Sequence, residues 1–128
     1  MVSLSSPSRA LSVITHKLVA VEGINSAQLR RIYLMRQLRW ANDTPIVVYV
    51  LPSQHPVHKA FSKNALNIFP YKLDRIWNKL TFSGLGIAPI VVKSQADLIK
   101  AVSSTPGAIG YIDNMNEEEH VNVVKISI

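Results

Sequence analysis

Pro45-Ile46-Val47-Val48-Tyr49-Val50-Leu51-Pro52 is the stretch of this 128-residue sequence that decides its fold. Between two prolines lie six consecutive apolar residues, and Ile46, Val47, Val48 and Val50 are β-branched. Branched and aromatic side chains favour the extended chain, and proline is tolerated only at the margins of a strand. An uninterrupted apolar run lacks the in-out alternation of a half-solvated strand. It predicts a strand buried on both faces, as in the sheet of an α/β domain.

On its C-terminal side, Pro56 suits the first turn of a helix, with Val57, Phe61 and Ala65 one turn apart. Pro70 opens a further helix on which Leu73, Ile76, Trp77 and Leu80 give an i, i+3, i+4, i+7 stripe. A loop around Ser83-Gly84 and Gly86 leads to a short strand over residues 90–92. Ser94-Gln95-Ala96-Asp97 is then a capping box that starts a helix running to about Ser103. Pro106-Gly107 stops it, and residues 108–112 and 121–128 read as closing strands.

On the N-terminal side, residues 11–21 read as a strand that Gly23 breaks. Asn25-Ser26-Ala27-Gln28 forms another capping box. Leu29, Ile32 and Tyr33 follow at helical spacing and predict a short amphipathic helix over residues 26–36. Strands and helices alternate, which argues for a single α/β domain with a mixed sheet flanked by helices.

The bulk properties agree. Hydrophobic residues make up 48% and charged residues 17%, an ordinary globular balance, and the length suffices for one core. No apolar run approaches the roughly 20 residues a bilayer requires. With no cysteine, disulfides, thiolate metal sites and cysteine nucleophiles are excluded. The net charge of +6 is uneven: from Arg30 to Lys100 there are eleven Lys and Arg against Asp43, Asp74 and Asp97. A basic middle suits an anion or an acidic partner.

Residues 1–10 are Ser-rich and lack apolar periodicity. Ser8-Arg9-Ala10 fits the small-x-small rule for signal-peptide cleavage, although no apolar core precedes it. These residues are expected to be a disordered N-terminus or the remnant of a signal peptide, with residues 11–128 as the folded domain.

Three segments carry a resemblance. Leu29-Arg30-Arg31-Ile32-Tyr33-Leu34, followed by Trp40, is similar to a helix of the form L-x-x-I-F-L-G-K and then Trp. Ile46-Val47-Val48-Tyr49 leads through a short loop to Ala60-Phe61, and Ser104-Thr105-Pro106-Gly107-Ala108-Ile109-Gly110-Tyr111 is close to T-P-G-x-I-G-Y. Together they resemble the phosphate-type substrate-binding proteins of ABC transporters. The resemblance implies a domain like one lobe of a type 2 periplasmic binding protein, working in the periplasm. It also implies non-catalytic capture of a small oxyanion such as phosphate.

In that family the loop after the second strand wraps phosphate with an Arg, small hydroxyl residues and a Gly. The corresponding residues here are Val50 to Val57, where the Arg falls on Val50 or Leu51 and the Ser-Gly-Thr run on His55, Pro56 and Val57. Ser53, Gln54 and His55 remain as ligand contacts, with His58 one turn further on. Arg36 and Arg39 could add positive field. The length leaves room for one lobe and its hinge strands, so a lid would have to come from a second subunit or a partner.

His55 and His58 could share a metal at i, i+3. Without a carboxylate or cysteine beside them, a surface pair with His55 near the helix cap is the better reading. No nucleophile elbow, P-loop or dinucleotide fingerprint occurs, and the carboxylates are scattered. Neither an enzyme nor a cofactor is expected. Trp77 lies in an apolar stripe; Trp40, after Arg36 and Arg39, reads either as a stacking residue or, as the resemblance implies, as packing, and nucleic-acid binding is not favoured. The competing function is an interaction module that has lost its ligand and docks onto a protein partner of the cell envelope.

Overall fold

The computed structural model describes residues 11–21, 23–85, 88–113 and 121–127. Ser8-Arg9-Ala10 and the acidic residues 117–119 lie outside the described residues. Six strands form one sheet: β1 (Leu11–His16), β2 (Gly23–Asn25), β3 (Val47–Val50), β4 (Ile90–Val91), β5 (Ala108–Asp113) and β6 (Val121–Ser127). Their order is β2-β6-β1-β5-β3-β4. β1 runs antiparallel to both β5 and β6, whereas β2 is parallel to β6 and β3 is parallel to both neighbours. The helices are α1 (Ser26–Tyr33), α2 (Pro56–Ala60), α3 (Pro70–Phe82) and α4 (Gln95–Ser104), with a π-helical turn Phe61–Ala65 continuing α2. The expected α/β domain with a mixed sheet is what forms.

The apolar run at residues 46–51 forms β3 over Val47–Val50, but the expected burial on both faces is only partial. Val48 and Val50 are buried while Val47 and Tyr49 are half-covered, so one face is more closely packed than the other. The most enclosed strand is β5, whose first five residues are all buried. Gly110 makes that possible: a Cβ there would overlap Leu98 and crowd Val102, so its absence lets α4 close onto the sheet. Gly107 has φ +83°, and a Cβ would overlap the carbonyl oxygen of Pro45. Trp40 seals the same corner, its Nε1–H donating to Gly107 O at 2.9 Å.

The N-cap half of both expected capping boxes forms: Asn25 Oδ1 accepts from Gln28 N at 2.7 Å and Ser94 Oγ accepts from Asp97 N at 3.1 Å. Three expectations need correcting. The first strand ends at His16, where Nδ1 accepts from Leu18 N and the chain turns. Gly23 starts β2 rather than merely breaking a strand, because β6 supplies a parallel partner. α1 stops at Tyr33, short of residue 36. There Arg36 N–H donates to Arg31 O and Met35 N–H to Ile32 O, with Met35 at φ +61°. That is a Schellman ending built on Met instead of Gly.

Candidate functional site

β3 delivers the chain to the edge where the parallel strands β3, β4 and β5 end, which is where open α/β sheets place ligands. Leu51 is buried and anchored: its N–H donates to Tyr111 Oη at 2.9 Å. Pro52 O accepts from His55 N at 2.9 Å and closes a tight turn. His55 caps α2, its Nδ1 accepting from Val57 N at 3.1 Å, and Pro56 occupies the first helical position. Between anchor and cap, Ser53 is half-exposed and Gln54 exposed.

Beneath the loop lies a buried polar pair. Tyr111 Oη and His58 Nδ1 are 2.6 Å apart, and both side chains are fully buried. Burial holds the Tyr111 phenol well above its ordinary range and pushes the His58 imidazole below its ordinary 6.5, so both are neutral. In either tautomer the pair is satisfied through Nδ1, and Nε2 has no partner. The ring of Tyr111 stacks on Phe61 at 3.9 Å, and Tyr33 meets Phe61 edge-on at 4.9 Å. This aromatic block fixes the phenol that holds Leu51, and therefore the root of the loop.

Beside the loop opens a cleft of about 420 Å³ whose lining includes Ser53, Asp74, Trp77, Asn78 and Thr81. Trp77 is fixed by donating from Nε1 to Tyr33 O at 2.9 Å, and it packs against the His58 ring at 5.5 Å. Thr81 donates its hydroxyl to Trp77 O, which leaves the oxygen facing outward as an acceptor. Asp74 is the one charged residue of the lining. The arrangement offers hydroxyls, an amide and a carboxylate against an indole wall, with no built-in nucleophile or acid/base pair.

Of the expected contacts, Ser53, Gln54 and His55 share the loop. The surface reading of His58 is overturned: the side chain is fully buried and bonds Tyr111 beneath the loop. Arg39 does not serve the loop either. It pairs with Asp43 at 3.8 Å and bridges to Pro45, before the start of β3, whereas Ser53 follows that strand's end. Arg36 is exposed and absent from the cleft lining. Trp77 packs against the core as expected, though only partly buried, and Trp40, open to either reading in the sequence, is buried in it. Asp74, Asn78 and Thr81 went unnoticed in the sequence. Their i, i+4, i+7 spacing on α3, beside the apolar stripe, is the signal that marks them.

The sequence matches no family model, and no curated protein is detectably similar to it. Solved structures are. A phosphate ABC transporter substrate-binding protein of Clostridium perfringens, with bound phosphate, superposes with a TM-score of 0.74 at 21% identity, over 92% of this chain and 45% of that one. An ABC-type phosphate transport receptor of Vibrio cholerae gives 0.71 at 16% identity, over 92% and 46%. PstS of Borrelia burgdorferi gives 0.71 at 22% identity, over 92% and 47%. The fold is thus that of one lobe of a phosphate-type substrate-binding protein. The chain spans just under half the length of the proteins it matches.

Proposed function

We propose that this chain is a non-catalytic binding lobe, related to the substrate-binding components of ABC transporters, that recognises a small ligand at the loop from Leu51 to His55. The observation that carries the reading is the cleft opening beside Ser53 at the carboxyl end of β3, on a loop root held rigid by Tyr111. Ser53 and Gln54 are the first contacts, and His55 offers Nε2 while its Nδ1 caps the helix. A small oxyanion is the first ligand class to test, because the Clostridium perfringens structure contains phosphate. The cell envelope is the proposed compartment.

One observation favours the second reading, a module that keeps the fold and docks onto an envelope protein. The cleft carries Asp74 and no Lys or Arg, which opposes anion capture. A thermal-shift screen with phosphate, sulfate, amino acids and small carboxylates separates the two. A ligand that binds only the folded state adds roughly 2.7 kcal/mol at a hundredfold excess over its Kd, a saturable rise in Tm. No rise with any of these ligands would refute the binding lobe in favour of the docking module.

A further inference from the structure

The outward face of α3 carries large apolar side chains in the open. Leu73 is buried and Trp77 packs against the core, so Tyr71, Arg75 and Phe82, spaced four and seven residues apart, lie on the opposite side of the helix. Lys72 and Lys79 flank them. The ends of this row are apolar and open to solvent: Tyr71 is 59% exposed and Phe82 86%. Phe69, 58% exposed, stacks on Tyr71 with ring centres 5.9 Å apart, and Leu85 lies just beyond Phe82 at 68%. Tyr71 and Phe82 stand about 16 Å apart along the helix axis, with the cations between them.

Large aromatic side chains left this exposed at two ends of one face mark an interaction surface. The charge says of what kind. Lys72, Arg75 and Lys79 are all exposed, and the one ion pair among the described residues, Arg39–Asp43, lies elsewhere. Asp74 belongs to the flank that lines the cleft. Duplex nucleic acid would satisfy the cations but give the terminal aromatics nothing apolar to enter. A lipid interface satisfies both, taking cations at the headgroups and aromatic rings at the acyl boundary.

We propose that α3 docks this protein onto an anionic phospholipid surface, lying flat with Tyr71 and Phe82 inserted and Lys72, Arg75 and Lys79 on the headgroups. The attraction is partly electrostatic and weakens with salt. The proposal is independent of whether the cleft binds a ligand.

The test is co-sedimentation of the full chain with vesicles of phosphatidylcholine containing about a third phosphatidylglycerol, against pure phosphatidylcholine. Binding is expected to the anionic vesicles alone and to fall as salt rises. The variant K72Q/R75Q/K79Q is expected to bind roughly a hundredfold more weakly, about fivefold per cation. These are exposed positions, so its melting temperature stays that of the parent. Phe82→Ser weakens binding several-fold with its charges intact. Equal binding to both vesicle types, binding to neither, or an unchanged triple variant would overturn the proposal. So would binding to a duplex oligonucleotide that the triple variant loses while anionic vesicles are ignored.

Discussion

Replacing Tyr111 with Phe isolates the interaction that holds the loop in place. The ring stays, and with it the stack on Phe61 at 3.9 Å, so packing changes little. What disappears is one hydroxyl with two buried partners, Leu51 N at 2.9 Å and His58 Nδ1 at 2.6 Å. Leaving a buried polar group without a partner costs about 1–3 kcal/mol. Two such groups, with some relaxation, give about 3 kcal/mol for Tyr111→Phe. For a chain of 128 residues that lowers Tm by about 11 °C. Urea unfolding supplies the free energy, and hydrogen exchange at Leu51 supplies the local readout. In the parent, the Leu51 amide exchanges slowly, as part of the core. In the variant it should exchange by local opening. A loss below ~1 kcal/mol, with Leu51 still protected, would show that the phenol does not hold the loop, and the account of the site would fall with it.

Further outcomes follow from the same geometry. Burial keeps the His58 pKa below 6.5 in the folded chain, so the unfolded state binds the proton first. Stability from this group is present above about pH 6.5 and is lost as pH falls toward the depressed native pKa. His58→Gln should flatten that acid decline in ΔG measured by urea titration at successive pH values. Parallel acid limbs would refute the assignment. Gly107→Ala forces φ +83° on a side chain that also strikes the Pro45 carbonyl, whereas Gly110→Ala meets the movable end of Leu98. The first should therefore destabilise by at least about 3 kcal/mol and the second by about 1–3, and the reverse order would be inconsistent with the packing described. Trp40→Phe removes the indole bond to Gly107 O and should cost about 1–3 kcal/mol by chemical denaturation. A neutral result would show that this corner is held by packing alone.

The elements most open to reading from sequence are those where local chemistry and tertiary context agree. Both N-caps, the proline-opened helices and the apolar run of β3 depend on side chains adjacent in sequence, and each forms. The failures share a different cause. Gly23 looks like a break until β6, some hundred residues away, supplies a strand partner. The end of α1 is hidden because Met35 takes the left-handed position that Gly usually signals. The π-helical turn after α2 keeps Phe61 and Ala65 buried just as an α-helix would, so the apolar spacing cannot distinguish them. The loop that holds Ser53, Gln54 and His55 was legible because it lies between a strand and a proline-started helix. His58 was misread because its burial depends on Tyr111 of β5, 53 residues away. Arg36 and Arg39 carry the right charge but stand where the chain turns back toward the start of β3.

The claim that a small ligand is recognised at the loop from Leu51 to His55 is tested most directly by an amide-resolved NMR titration with phosphate and the other ligands of the screen. The account predicts saturable shifts centred on the amides of Ser53, Gln54, His55 and Val57 with one ligand class, lost in a variant carrying Ser53→Ala. Unperturbed loop amides at millimolar concentration of every ligand, or shifts confined to a distant surface, would contradict it.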